Sequence, residues 1–141
     1  MNKWAWLWGF IPVYVRYVDF IETRVMRDGA IGTVEGRSHW FWADILKTSS
    51  GNIGLLAHEL EHCKQAWMLP FGAYSALRKV NKRYRAWCEA CAYAAQTLAF
   101  GPMDEYREAR IDAYAYLIAN AYGLTITQAA ARELILEEIR G

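Results

Sequence analysis

The sequence predicts an α+β fold that is mostly helical: a small N-terminal β element packed on a long helix, followed by three or more further helices. Three observations carry this reading. The first 45 residues are rich in aromatic and β-branched side chains and are punctuated by glycine. From Asn52 onward, apolar residues recur at helical spacing among alanines. Finally, Pro70, Gly101-Pro102 and Gly123 cut that helical region into separate rods. The chain has 141 residues, 55% hydrophobic and 22% charged, which suits one folded unit over residues 1–141 that needs no staples to build a core.

The opening stretch runs uncharged from Trp4 to Val15 and superficially resembles a signal peptide or interfacial anchor. It lacks a small-residue cleavage site, contains Pro12 and is too short to span a bilayer as a helix, so a buried first strand or helix is the alternative reading. Tyr17 to Met26 reads as a first element closed by Asp28-Gly29. Residues 30–45, with Gly32, Gly36 and alternating Trp40 and Trp42, read as an irregular hairpin or meander. Lys47 to Gly51 is a polar break in which Ser49 or Ser50 can cap a helix. That helix runs from Asn52 to Leu69, where Pro70 stops it. A second helical region covers Ala73 to Phe100 with a break near Asn81. A third helix starts near Pro102, carries Asp104 and Glu105 in its first turn, and ends at Gly123 in a left-handed cap. Thr125 and Gln128 offer a capping box for a last helix ending near Arg140.

The first long helix contains His58-Glu59-Leu60-Glu61-His62. With roughly 3.6 residues per turn, histidines four apart lie one above the other on one face, so both imidazoles can reach one ion. Catalytic zinc takes three protein ligands and keeps a water in the fourth position, acidified to a pKa of about 7. Glu59 is turned about 100° from His58, which suits a proton acceptor better than a third ligand. Ile53, Leu56, Leu60, Cys63 and Trp67 form an apolar stripe away from the histidines, and Glu61 is expected in water or in an ordinary ion pair.

Only His39 remains as a further histidine, so a third ligand is sought among carboxylates. Glu89 stands out: it shares a helix face with Arg85, Ala92, Tyr93 and Gln96 amid small residues, where an unpaired charge is costly. Zinc is one partner for it, and Arg85, one turn earlier, is the other. With these residues in view, HELEH followed by Glu89 in CEACAYAAQTLAFGP resembles the gluzincin metallopeptidases, in particular small ImmA/IrrE-type peptidases and phage-encoded HExxH proteins. The resemblance covers about residues 55–102. It implies a minimal zincin-like domain with Zn2+ held by His58, His62 and Glu89, Glu59 as catalytic base, and a peptide or protein substrate. The chain departs from it in having no DNA-binding domain and in placing Cys88 beside the expected ligand.

Other readings compete. Cys63, Cys88 and Cys91 permit a closed structural zinc site, although Cys63 is turned toward the apolar stripe and Cys88-x-x-Cys91 lies inside an alanine-rich helix. An odd cysteine count within helices fits a reducing compartment, and the expected location is the cytoplasm of a bacterial or phage-infected cell. His39 and Tyr93 are candidates to stabilise a developing oxyanion, and His39 is alternatively a structural residue. Arg78, Lys79, Lys82, Arg83 and Arg85 form a basic run that reads as a solvated helix face more readily than as a nucleic-acid footprint. A net charge of +1 gives no overall field toward nucleic acid or membrane. A non-catalytic structural zinc protein, or a module that binds nucleic acid or a membrane surface, is the alternative to a peptidase. For the peptidase, the strand nearest the site, within Val34 to Ile45, is expected to hold an extended peptide by edge pairing.

Overall fold

The computed structural model describes residues 2–21, 35–69 and 71–141, together with the backbone of 24–25 and 31–32. The fold is α+β, with five helices and a four-stranded sheet among the described residues. Strands β1 (Lys3–Leu7), β2 (Ile11–Val18), β5 (Gly36–Ser38) and β6 (Trp42–Leu46) lie in the order β1-β2-β6-β5. The β2–β6 pair is parallel and the other two pairs are antiparallel. A separate two-stranded pair joins β3 (Arg24–Val25) to β4 (Ile31–Gly32). Helices α1 (Ile53–Met68), α2 (Ala73–Val80), α3 (Lys82–Leu98), α4 (Arg107–Asn120) and α5 (Gln128–Arg140) follow.

The opening aromatic stretch is a strand, and only half of it is buried. β1 and β2 form a hairpin that reverses through positive φ at Trp8 and Gly9, 51° and 81°. Because side chains alternate across a strand, Leu7, Val13, Val15, Ala43 and Ile45 point inward and are buried. Trp4, Trp6 and Trp42 occupy the opposite face and are exposed. On that face Arg16 grips Asp44 through two hydrogen bonds of 2.6 and 2.9 Å. The first element therefore lies earlier than the Tyr17 to Met26 expected. Most of that segment beyond Ile21, with its Asp28-Gly29 turn, falls outside the described residues. The expected hairpin within residues 30–45 is present as β5 and β6, with Trp40 in the connection rather than in a strand.

Helix α1 lies between the sheet and α3. Cys63 packs with Leu7, Val13 and Ala43, while Leu55 packs with Val15 and Ile45. The stripe expected on α1 is partly correct: Leu60, Cys63 and Trp67 meet the sheet, but Ile53 is exposed. The most buried positions of α1 include the HELEH face itself, since its other side is covered by α3. Close approach is secured by Gly54, where a Cβ would sit 2.7 Å from Gln96 Cγ and 2.9 Å from its carbonyl oxygen. Behind α3, helices α4 and α5 complete an apolar cluster of Ala90, Ala94, Ile111, Ala115, Ile118, Ala131 and Ile135.

Helix ends follow from local hydrogen bonding, and four differ from expectation. Asn52, not Ser49 or Ser50, caps α1 by accepting from the Gly54 N–H. Helix α4 begins at Arg107 instead of near Pro102, because Asp104 uses its carboxylate to hold the Tyr106 N–H and Arg110. Gly123 is left-handed at φ 66° but lies beyond the end of α4. Thr127, not Thr125, caps α5 through the Ala130 N–H; Thr125 has φ 56°. The break near Asn81 is real. Asn81 ends α2 and caps α3, its side chain accepting from the Tyr84 N–H.

Candidate metal centre

Across the α1–α3 interface the HELEH face meets Glu89. His58 Nε2 and His62 Nε2 lie 3.8 and 3.4 Å from Glu89 Oε2, and one ligating atom from each residue falls within 4.8 Å of the others. All three side chains are buried. Glu89 Oε2 is a buried oxygen with no hydrogen-bond donor aimed at it, which is costly for a carboxylate unless an ion takes that place. Two imidazoles and one carboxylate are a donor set suited to a borderline divalent metal. His58, His62 and Glu89 thus form a group that could hold a metal ion. Among the described residues no other group of His, Cys, Asp and Glu does so.

Supporting hydrogen bonds orient these ligands. Gln65 Nε2 donates to the Cys88 carbonyl at 2.9 Å, so Gln65 Oε1 faces His62 Nδ1, also at 2.9 Å. An amide whose NH2 is committed to a carbonyl presents its oxygen as an acceptor. His62 Nδ1 is thereby held as the donor to Gln65 and Nε2 is turned toward Glu89, the orientation a metal ligand needs. Tyr74 OH lies 3.2 Å from the same Nδ1. Arg78 Nη2 donates to Glu89 Oε1 at 2.7 Å, and its guanidinium sits 5.2 Å from the Tyr74 ring centre.

Electrostatics separates the four buried groups. Burial would raise the Glu89 carboxyl, but His62, His58 and Arg78 overcome it and hold Glu89 well below the usual carboxylate range. Burial, reinforced by His62, lowers His58 to about 3. Burial would also lower His62, yet the charges of Glu89 and Glu59 raise it. Glu59 goes the other way: burial pushes it up to about 7, with Glu89 adding to the rise and His62 opposing it. A carboxyl near neutrality can both accept and return a proton at physiological pH.

Glu59 is placed by the sheet. Gly36 on β5 lies against it so closely that a Cβ would stand 2.8 Å from Glu59 Oε1. Both border a cavity of about 620 Å³ into which His58, His62, Glu89 and Arg78 also face. Strand β5 pairs with β6 on one side and is an edge of the sheet among the described residues. Tyr93 borders the same cavity, its ring 4.6 Å from that of His58 and its hydroxyl 2.8 Å from Tyr122 Oη.

The structure thus brings together His58, Glu59, His62, Glu89 and Tyr93. It does not bring in His39 or Arg85. His39 stacks on Trp42 at 4.5 Å and is not among the cavity-lining residues. Arg85 lies over the Tyr122 ring at 5.4 Å, and the arginine on Glu89 is Arg78 from α2. Glu61 forms the ordinary pair expected, 3.7 Å from Lys64. Cys63, Cys88 and Cys91 are free, buried thiols in packing positions. Burial raises Cys63 to about 12 and Cys88 to about 11, and neither belongs to the group around Glu89. Gln65, Tyr74, Arg78 and Gly36 were not identified from sequence. Of these, Gln65 carried a usable signal, standing three residues beyond His62 on the same helix.

No protein-family model, curated protein or solved structure matches the chain. No helix among the described residues is long and apolar enough to cross a membrane.

Proposed function

We propose that this protein is a zinc-dependent metallopeptidase of minimal zincin-like architecture. The observation that carries the reading is the convergence, at the wall of one cavity, of a three-residue metal group with a separate buried carboxyl that titrates near neutrality. With His58, His62 and Glu89 as its protein ligands, a four-coordinate zinc would keep one position for water and substrate. Zinc bound there supplies a Lewis acid for a scissile carbonyl and an acidified water.

The remaining work falls to the chain. Glu59 accepts a proton from the attacking water and returns it to the leaving amine, which suits a carboxyl poised at about 7. Gly36 leaves room for that carboxylate and lets a substrate backbone approach it. An extended peptide adds to the β5 edge by main-chain hydrogen bonds, which sets its scissile bond beside Glu59. The Tyr93 and Tyr122 hydroxyls form a donor pair at the cavity wall for a developing oxyanion.

Glu59→Gln tests this most directly. The variant should bind zinc with unchanged stoichiometry and lose peptide turnover by at least about a hundredfold. Undiminished hydrolysis removes Glu59 from its role. X-ray absorption of the zinc-loaded protein supplies the second arm: four protein ligands, with no water, would make the site structural.

A further inference from the structure

Helix α2 supplies two side chains to the metal group, Tyr74 and Arg78, four residues apart and therefore on one face. Tyr74 reaches His62 and Arg78 reaches Glu89. Arg78 belongs to a run of basic residues that on a continuous helix would face water, yet its side chain is 26% exposed and that of Glu89 only 3%. The guanidinium takes one oxygen of the carboxylate, Oε1, at 2.7 Å. The other oxygen, Oε2, is left facing the two histidines without a donor. The two oxygens of Glu89 therefore have separate duties.

We propose that Arg78 is a resident counter-cation of the metal centre: it fixes Glu89 so that Oε2 alone is presented to the ion, and it neutralises the carboxylate when no ion is bound. This rests on the reading that His58, His62 and Glu89 hold a metal. Two effects on affinity oppose each other. Fixing the carboxylate saves the ordering of one side chain and strengthens metal binding. Sharing one carboxylate between two cations in a buried site weakens it. The repulsion is the larger, because charges this close in a low-dielectric interior interact more strongly than one rotamer's entropy counts. Arg78 is thus a positioning residue that keeps the metal-free fold stable and limits how tightly the ion is held.

The linkage is reciprocal: a side chain that stabilises the metal-free fold more than the loaded one must lower metal affinity. Arg78→Met, nearly isosteric and uncharged, exposes that signature. With the metal removed by chelator, its melting temperature should fall by about 10 °C, because a buried carboxylate loses its guanidinium contact with Arg78. With saturating zinc the fall should be less than half as large. Zinc titration against a competing chelator should give a dissociation constant about tenfold lower than wild type. Equal falls with and without zinc, or a dissociation constant unchanged or raised, overturn the proposal.

Should metal-free Arg78→Met fail to fold, Arg78→Lys keeps the charge without the fork and should melt within about 4 °C of wild type; a larger loss counts against the counter-cation role. A metal-free cycle separates this inference from the site reading. In a Glu89→Gln background, Arg78→Met should cost less than half of what it costs beside Glu89, whether or not zinc binds. If wild type takes up no zinc, the site reading fails while this cycle still decides what Arg78 does. A full loss in both backgrounds reduces Arg78 to a packing residue.

Discussion

Helix α3 is buried on two sides, and the chemistry of the two sides is opposite. Toward α4 and α5 it presents Ala90 and Ala94 to Ile111, Ile118 and Ile135, with the phenols of Tyr93, Tyr114 and Tyr122 at the margin of the cluster. Toward α1 and α2 it presents Glu89 and Gln96, against His58, His62 and Arg78. Ile118 is 0% exposed and Glu89 2%, so water is excluded almost equally from both. Apolar burial is favourable without further conditions. Burial of a carboxylate and two imidazoles is not, and it persists only where partners and neighbouring packing offset the desolvation. The first interface stabilises by burial alone, and the second houses the group that could hold a metal ion.

Four changes break or sharpen that contrast. The largest effect is expected from Glu89→Ala on the polar side: zinc affinity should fall well over a hundredfold, or more than about 3 kcal/mol, since even residues behind the ligands matter ten- to hundredfold. Calorimetric titration showing equally tight zinc would exclude Glu89 as a ligand. On the apolar side, Ile118→Ala should cost about 3 kcal/mol in urea unfolding while zinc stoichiometry stays that of wild type. A variant that lost metal as well would show that the two faces are not separable.

A third change reverses sign. Folding raises Glu59 from 4.5 to about 7, so between those pH values the folded protein holds a proton that the unfolded chain has released. Stability therefore falls as pH rises through this window. In the metal-free protein, Glu59→Gln should be more stable than wild type by about 2–3 kcal/mol at pH 8 and indistinguishable from it below pH 4. Denaturant melts at the two pH values measure this, and a gap of the same size at both would refute it. The smallest effect concerns aim alone. Gly36→Ala pushes Glu59 aside at unchanged zinc affinity and should lower turnover by about tenfold. Full activity in that variant would mean that the carboxylate has room to spare.

How much of this was legible in the sequence depended on the range of the interaction. His58, Glu59 and His62 were readable because one helix fixes their relations locally. Glu89 was readable at longer range, since a carboxylate among alanines and cysteines in a helix demands a partner. The identity of its arginine was not. Arg85 lies one turn from Glu89 on the same rod, whereas Arg78 arrives only because the chain turns at Asn81, and the turning angle is set by packing. Gly36 was read only as part of an irregular hairpin or meander. Its closeness to Glu59 arises from the docking of α1 on the sheet, which no local pattern encodes. The half-buried hairpin at the start was obscured for a similar reason. The stretch from Trp4 to Val15 read as an anchor or as a buried element, yet the sheet has one covered face and leaves Trp4 and Trp6 exposed.

Asn81 closes one helix and opens the next with no spacer between them. An inserted residue at that joint would displace α2 relative to α3 and carry Arg78 off the carboxylate, whereas many point substitutions around it would not. The interval is therefore constrained where the letters are not. The chain carries a fingerprint in its spacing, His-Glu-x-x-His followed by Arg-x-x-Asn and then, after seven residues, Glu. That ruler of positions is far more restrictive than the five-residue motif alone. It offers a way to find distant relatives whose sequences have otherwise drifted beyond recognition.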